Sequence, residues 1–290
     1  MNGLPERVVG WVERSSGPVT DVRPLPGATT AAVDAVDAGG QALVLKRFVH
    51  RFFVEEDPDR AVHEAALLGL LAGTDVPAPG LVDVDPDGSA CGAPAVLMTR
   101  LPGVRRLPNP SPSATADVLA RVHAVAPAVP FEFRRYQEDV AELFPPPWRR
   151  RPRLWERALE AAAEPGPDSA TGLIHRDAND GNLLWEGTSV SGFVDWLAGC
   201  RGPLGIDLAR VRVDLVLRGE TAGAAAVLDA YRSIGADDAY HPHWDVVDGI
   251  DLIPYYAGTD AVADWPGTPD AVQRRERLEG FLAAALAELG

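Results

Sequence analysis

Lysine is almost missing from this 290-residue chain: of 27 basic residues only Lys46 is a lysine, and the others are arginine. Together with abundant Ala, Gly, Pro and Val, that skew points to GC-rich coding, in which arginine stands wherever any cation will serve. A lysine retained under such pressure is a candidate for work that arginine does badly, a compact ammonium point charge in a tight site. Cysteine is scarce too. Cys91 and Cys200 lie far apart with no His or Cys at metal-ligand spacing, which argues against a disulfide framework and for two reduced thiols. Positive charge is in deficit. A formal net charge of −15 excludes a general nucleic-acid binder, because phosphate contacts need a cationic surface. No apolar run approaches the roughly 18 residues of a membrane span. Met1 to Glu6 shows no basic segment ahead of an apolar stretch, so no signal peptide and no membrane partner are expected, and the expected location is the cytoplasm. Internal repeats and low-complexity tracts are also lacking.

What remains is ordinary globular composition, 46% hydrophobic and 24% charged, in a chain long enough for two lobes. Val19 to Arg23, Ala31 to Val36 and Ala42 to Val49 read as three strands, with Gly39-Gly40 as a hairpin signal. Lys46 falls inside the third, where a charge needs a partner. Asp57-Pro58 opens a helix carrying Ala61, Glu64, Leu67, Leu68 and Leu71 at helical spacing, stopped near Gly73. Leu81 to Val84 and Ala95 to Met98 read as two further strands. Leu101-Pro102-Gly103 breaks the pattern as a hinge. Beyond it the chain turns helical over 113–125, 155–163, 205–233 and 278–289. Residues 1–18 give no clear pattern. The expected fold is α+β. A small lobe, 1–102, holds an antiparallel sheet and one main helix, and a larger, mostly helical lobe spans 103–290.

The chemistry concentrates in Leu173-Ile174-His175-Arg176-Asp177-Ala178-Asn179-Asp180-Gly181-Asn182, followed by Val190 to Val194 and then Asp195-Trp196. Phosphoryl transfer needs a carboxylate to orient the attacking hydroxyl, hard oxygen ligands for Mg²⁺, and a cation on the phosphates. Asp177 suits the first task, Asn182 and Asp195 the second, and Lys46 the third. Asp177 and Asn182 share one loop, so a turn can aim both the same way, and a hairpin can return Asp195 alongside.

In this order, strand lysine, helix glutamate, hinge, H-x-D-x-x-x-x-N loop and strand aspartate, the chain resembles the aminoglycoside phosphotransferase and choline kinase family from about Val19 to Ala209. That family has the two-lobed protein-kinase fold. The resemblance implies a phosphotransferase with ATP, or GTP as an open alternative, and Mg²⁺ bound between the lobes. Lys46 would bridge the α- and β-phosphates and Glu64 would pair with it, with Glu55 and Glu56 as rivals. Met98-Thr99-Arg100-Leu101 would form the hinge, backbone groups of Thr99 and Leu101 bonding the purine. Asp177 would be the base, with Asn182 and Asp195 as metal ligands. Asp207 would brace the loop, and Gly27 to Thr30 would cover the nucleotide. The chain departs from protein kinases where Trp196 follows Asp195 and no Ala-Pro-Glu segment appears, which argues against peptide substrates. Asn179-Asp180-Gly181 replaces the His-Pro-Gly of relatives, tuning either the loop or a substrate contact.

For the acceptor, no lysine or arginine occurs between Arg232 and Arg274, while Asp237, Asp238, Asp245, Asp248, Asp251, Asp260, Asp264 and Asp270 do. These carboxylates would favour an amine-bearing hydroxyl compound such as an aminoglycoside, or would form a solvated face. Trp244, Tyr255, Tyr256 and Trp265 would stack on an acceptor or pack in the core. His241-Pro242-His243 lacks a third ligand and reads as surface. Inactivation of an amine-bearing antibiotic is the leading expectation, a choline-, homoserine- or sugar-kinase-like activity the alternative, and a non-catalytic nucleotide-binding module the third reading. Monomer and homodimer both stay open.

Overall fold

The computed structural model describes residues 3–26, 31–50, 57–126, 128–135, 145–146, 148–235, 239–252 and 271–290. The chain divides into two compact units. The first holds 1–104, with 184–186 and 191–199 returning to it. The second holds 105–183, 187–190 and 200–290.

The first unit is built on a five-stranded antiparallel sheet of β1 (Val19–Pro24), β2 (Ala32–Ala38), β3 (Gln41–Arg47), β4 (Leu81–Asp85) and β5 (Ala95–Thr99), in the order β1-β2-β3-β5-β4. The β2–β3 hairpin closes through Gly39 and Gly40 at φ 55° and 77°. Positive φ at both central positions is what the two-residue hairpin turn requires, and only glycine adopts it without steric cost. One sheet face is covered by α1 (Glu6–Ser16), the segment without a legible pattern. Its Val8, Trp11 and Val12 fall on one helical stripe and bury against Val36, Leu43, Leu45 and Leu97. The helix expected after Asp57 is α2 (Arg60–Leu71), buried along Ala61, Glu64, Ala65, Leu67, Leu68 and Leu71. Among its described residues the first unit therefore carries two helices, α1 in addition to the expected one.

The second unit is mostly helical: α3 (Pro112–His123), α4 (Pro152–Ala163), α5 (Gly205–Arg218), α6 (Thr221–Ser233), α7 (Pro242–Asp251) and α8 (Ala271–Leu289). Ser111 caps α3 by accepting from the Ala114 N–H, with Pro112 at the first helical position. The long helical stretch expected over 205–233 is two helices, parted at Gly219 (φ 94°). Helix α5 is buried along most of its length and packs on α6, α7 and α8. A short antiparallel pair, β6 (Thr171–Ile174) and β9 (Cys200–Pro203), flanks the polar loop that begins at His175. Strands β7 (Leu183–Glu186) and β8 (Ser189–Phe193) lead the chain from that loop to Asp195. The α+β architecture expected from the sequence is the one observed.

Candidate active site

Within the first unit, three charged residues meet. Lys46, one residue from the end of β3 and opposite Val33 and Val96, is buried. Its Nζ lies 2.8 Å from Oε2 of Glu64 on α2 and 2.6 Å from Oδ1 of Asp195. Burial alone lowers an ammonium's pKa, but the Asp195 and Glu64 carboxylates outweigh it and hold Lys46 above its ordinary value, firmly charged. The Phe48 ring adds a cation–π contact 5.3 Å from Nζ.

Asp195 sits in left-handed backbone, φ 68° and ψ 59°, immediately after β8. A non-glycine residue there stores strain of about 1–3 kcal/mol, which persists only where neighbours over-determine it. Trp196 supplies that constraint. It is fully buried, its Nε1 donates to the Phe193 carbonyl at 2.8 Å, and its ring stands edge-on to Phe193. Helix α2 grips the same segment, since Glu64 accepts from the Trp196 backbone N–H and the His63 ring meets the Gly199 carbonyl at 2.7 Å. Glu64 and Asp195 are thus positioned by one helix.

The hinge segment also belongs to this unit. Met98 is buried on β5, opposite Val44. Thr99 donates its N–H to the Gly80 carbonyl at 2.9 Å and accepts the Gly80 N–H on Oγ1. Its main-chain donor is therefore committed within the sheet, and its carbonyl is the group it would present to a purine. Arg100 N–H bonds Ala42, which fixes the chain just ahead of Leu101. The rivals Glu55 and Glu56, and the nucleotide-covering segment Gly27 to Thr30, lie outside the described residues.

Within the second unit, the polar loop holds Asp177 and Asn182 against each other. Asn182 Nδ2 donates to both the Asp177 carbonyl (2.9 Å) and its Oδ2 (3.1 Å). Oδ1 of Asp177 accepts twice from Arg210, at 3.1 Å from Nε and 3.0 Å from a terminal nitrogen. With its amide nitrogen committed to Asp177, Asn182 keeps Oδ1, a hard neutral oxygen of the kind Mg²⁺ accepts. The loop backbone is braced from below by Asp207 on α5, whose two oxygens accept from the N–H groups of His175 (2.7 Å) and Arg176 (2.8 Å). His123 Nε2 meets the same carboxylate at 3.3 Å, and its other ring nitrogen meets the Tyr231 hydroxyl at 2.6 Å.

The departure at Asn179-Asp180-Gly181 serves the loop. Asn179 caps the short 3₁₀ turn Asp180–Asn182 by accepting from the Gly181 N–H, and donates to the Asp177 carbonyl. Asp180 points inward and is buried. Its Oδ1 accepts from Asn109 at 2.7 Å and its N–H donates to Asp214. Burial and the neighbouring Asp214 push its carboxyl up to about 7.

The described part of the acidic stretch is neither a solvated face nor a free negative surface. Asp245, Asp248 and Asp251, at three-residue spacing on α7, are buried. Asp245 meets Arg212 and Tyr240, Asp248 meets Arg176 and Arg210, and Asp251 meets Arg176 and Arg135. Burial still lifts Asp245 and Asp248 to about 6 despite these cations. The other carboxylates between Arg232 and Arg274, and Tyr255, Tyr256 and Trp265, lie outside the described residues. Trp244 is core. His241 is the N-cap of α7, its Nδ1 accepting from the His243 N–H, and His243 is buried, so the pair is structural.

Sequence reasoning missed Arg210, His123, Asn109 and Asp214. For Arg210 a signal existed: it lies three residues after Asp207 on one helix, hence on the same face.

The chain matches the model of the phosphotransferase enzyme family (APH) over residues 21–250. A homoserine kinase of Methylobacillus flagellatus is 29% identical over 215 residues, covering 67% of this chain and 63% of that protein. This chain therefore matches somewhat less than two thirds of that relative's length. Among solved structures, a thermostable mutant of aminoglycoside phosphotransferase APH(4)-Ia in ternary complex with ADP and hygromycin B superposes with a TM-score of 0.68 at 16% identity, covering 96% of this chain and 98% of that one. A macrolide 2′-phosphotransferase from Brachybacterium faecium superposes with a TM-score of 0.59 at 20% identity, covering 98% and 93%. At such identities the likeness establishes the kinase-like fold.

Proposed function

The chain belongs to the phosphotransferase enzyme family, and from that premise we propose that it transfers the γ-phosphate of ATP, with Mg²⁺, to a hydroxyl of a small amine-bearing molecule. The observation that carries this reading is the buried meeting of the lone lysine with Glu64 and Asp195. A compact cation held by two carboxylates is costly to bury and is retained where a phosphate must be gripped.

In this reading Lys46 steadies the α- and β-phosphates, and Glu64 holds Lys46 in place. Asp195 and Asn182 would each offer a hard oxygen to Mg²⁺, which would neutralise phosphate charge. Met98 packs beside the purine, while the carbonyl of Thr99 and the backbone of Leu101 bond its edge. Asp177 orients the acceptor hydroxyl. As the hydroxyl oxygen bonds to the γ-phosphorus, the bond from that phosphorus to the β–γ bridging oxygen breaks. The hydroxyl proton passes to Asp177 and ADP departs.

Two acceptor classes fit an amine-bearing alcohol: aminoglycoside-like antibiotics and small metabolites such as homoserine or choline. One observation favours the second. Asp245, Asp248 and Asp251, which would have drawn a polycation, are already paired with Arg212, Arg176 and Arg135. The homoserine kinase relative points the same way.

The test is ADP release from MgATP with homoserine, choline, glucose, streptomycin and hygromycin B, using the wild type and Asp177→Ala. Turnover with an amine-bearing member, reduced at least about a hundredfold in the variant, supports the reading. Turnover of glucose alone overturns the amine-bearing acceptor. Equal turnover by both proteins overturns the role of Asp177.

A further inference from the structure

We propose that Arg210 is a positioning residue for Asp177, selecting which carboxylate oxygen receives the acceptor's proton; this rests on Asp177 acting as the base. The geometry is asymmetric. Both donors from Arg210, Nε and a terminal nitrogen, fall on Oδ1 of Asp177. A carboxylate oxygen has two lone-pair sites, so Oδ1 is saturated. Oδ2 carries one bond, from Asn182 Nδ2 at 3.1 Å, and keeps one site for a hydroxyl. Donors arriving on the two oxygens from different side chains also fix the carboxylate plane, which Asp torsions otherwise leave broad.

Arg210 is itself held. Its side chain is 13% exposed, and its other terminal nitrogen stands 3.9 Å from Oδ2 of Asp248 on α7. Asp248 also faces Arg176, whose second terminal nitrogen is 2.9 Å from Asp251, and Asp251 in turn faces Arg135. Charges therefore alternate from Asp177 through Arg210, Asp248, Arg176 and Asp251 to Arg135, mostly away from solvent. Buried ion pairs of this kind contribute little net stability but define geometry. The need for definition is visible in the loop: Arg176, directly before Asp177, is at φ 71°, left-handed backbone that only a well-determined environment retains. Helix α5 thus supplies two supports one turn apart, Asp207 for the loop backbone and Arg210 for the side chain.

The experiment compares the wild type with Arg210→Met, Arg210→Gln, Arg210→Lys, Asp248→Asn and Asp177→Asn. Turnover is measured as ADP release from MgATP with whichever panel acceptor the wild type phosphorylates. Isothermal titration with MgATP and the thermal midpoint are recorded alongside. Arg210→Met is expected to lower kcat by about 30- to 100-fold, with KM for ATP and MgATP affinity changed less than about twofold. Arg210→Lys, with one ammonium in place of a two-donor fork, is expected to recover part of that loss. Asp248→Asn is expected to lower kcat by about three- to tenfold. Arg210→Gln, shorter but polar and uncharged, repeats the test should Arg210→Met not fold. A kcat within about twofold of wild type in the folded Met or Gln variant overturns the proposal, as does a loss confined to KM. The Asp177→Asn control separates the two levels. If it retains wild-type turnover, the base assignment itself has failed. If it is inactive while the Arg210 variants are not, only the positioning role has.

Discussion

The ammonium of Lys46 stands 2.6 Å from the carboxylate of Asp195, although 149 residues separate them in the chain. Glu64 meets the same nitrogen at 2.8 Å, so one buried ammonium is shared by two carboxylates. A guanidinium is larger and planar. Lys46→Arg is therefore expected to lose at least about a hundredfold in kcat/KM, even though the charge is kept. Lys46→Met leaves Glu64 buried without its cation and should destabilise the protein by about 3–5 kcal/mol. The double variant Lys46→Met with Glu64→Gln should lose less than the two single losses combined. Urea unfolding with coupled ADP-release kinetics checks all three.

Asp195 offers its oxygen from a strained, left-handed position. Asp195→Asn keeps size but removes charge. It is expected to raise the Mg²⁺ concentration for half-maximal turnover by about tenfold or more, while chelation of Mg²⁺ abolishes wild-type turnover. Titration of activity with MgCl₂ at fixed ATP reads this out. An unchanged Mg²⁺ requirement would remove Asp195 from the proposed metal ligands.

Asp207 accepts two main-chain N–H bonds with two separate oxygens. An asparagine has one acceptor oxygen, so Asp207→Asn strands one buried donor, at about 1–3 kcal/mol, and Asp207→Ala strands both at roughly twice that. Chemical unfolding should rank wild type above Asn above Ala. A stability for Asp207→Ala equal to that of Asp207→Asn would contradict this reading.

Two residues near the start of α7 carry opposite pH dependence. Burial depresses His243 to about 4, below its ordinary 6.5. The stability it contributes is whole above 6.5 and is lost as pH falls toward 4. Burial raises Asp245 to about 6 from an ordinary 3.8. The folded form therefore binds its proton first, and stability from this group grows as pH falls from 6 toward 4. Urea midpoints between pH 7 and pH 4.5 should fall less steeply in His243→Gln than in the wild type, and more steeply in Asp245→Asn. A reversal of that order would show the signs to be wrong.

The strands were legible because alternation and Gly39-Gly40 encode them locally. The polar loop was legible because its residue types recur at fixed spacing. Lys46 announced itself by being alone. Helix α1 was harder. Its stripe of Val8, Trp11 and Val12 is short, Gly10 interrupts it, and Pro5 at its N-cap position supplies no side-chain bond. Among the arginine partners only Arg210 left a trace, its spacing from Asp207. Arg135, Arg176 and Arg212 look in sequence like any other surface cation, and only tertiary packing brings them to Asp245, Asp248 and Asp251. For the same reason the acidic stretch read as carboxylates lining an acceptor site or as a solvated face, although Asp245, Asp248 and Asp251 on α7 are buried against arginines. Asp180 shows the complementary limit. Its position in the loop was clear, but its inward orientation depends on Asn109 and Asp214, which approach from remote segments.

The single buried lysine leaves the outside of the protein without an ε-amine. Reagents and enzymes that acylate, methylate or conjugate lysine side chains meet none on the surface. Any modification of Lys46 must enter where nucleotide is proposed to bind. Shielding of that one ε-amine against an acylating probe, read on the peptide that contains it so that the α-amine of the chain is scored apart, would report occupancy with no second lysine to confuse the reading.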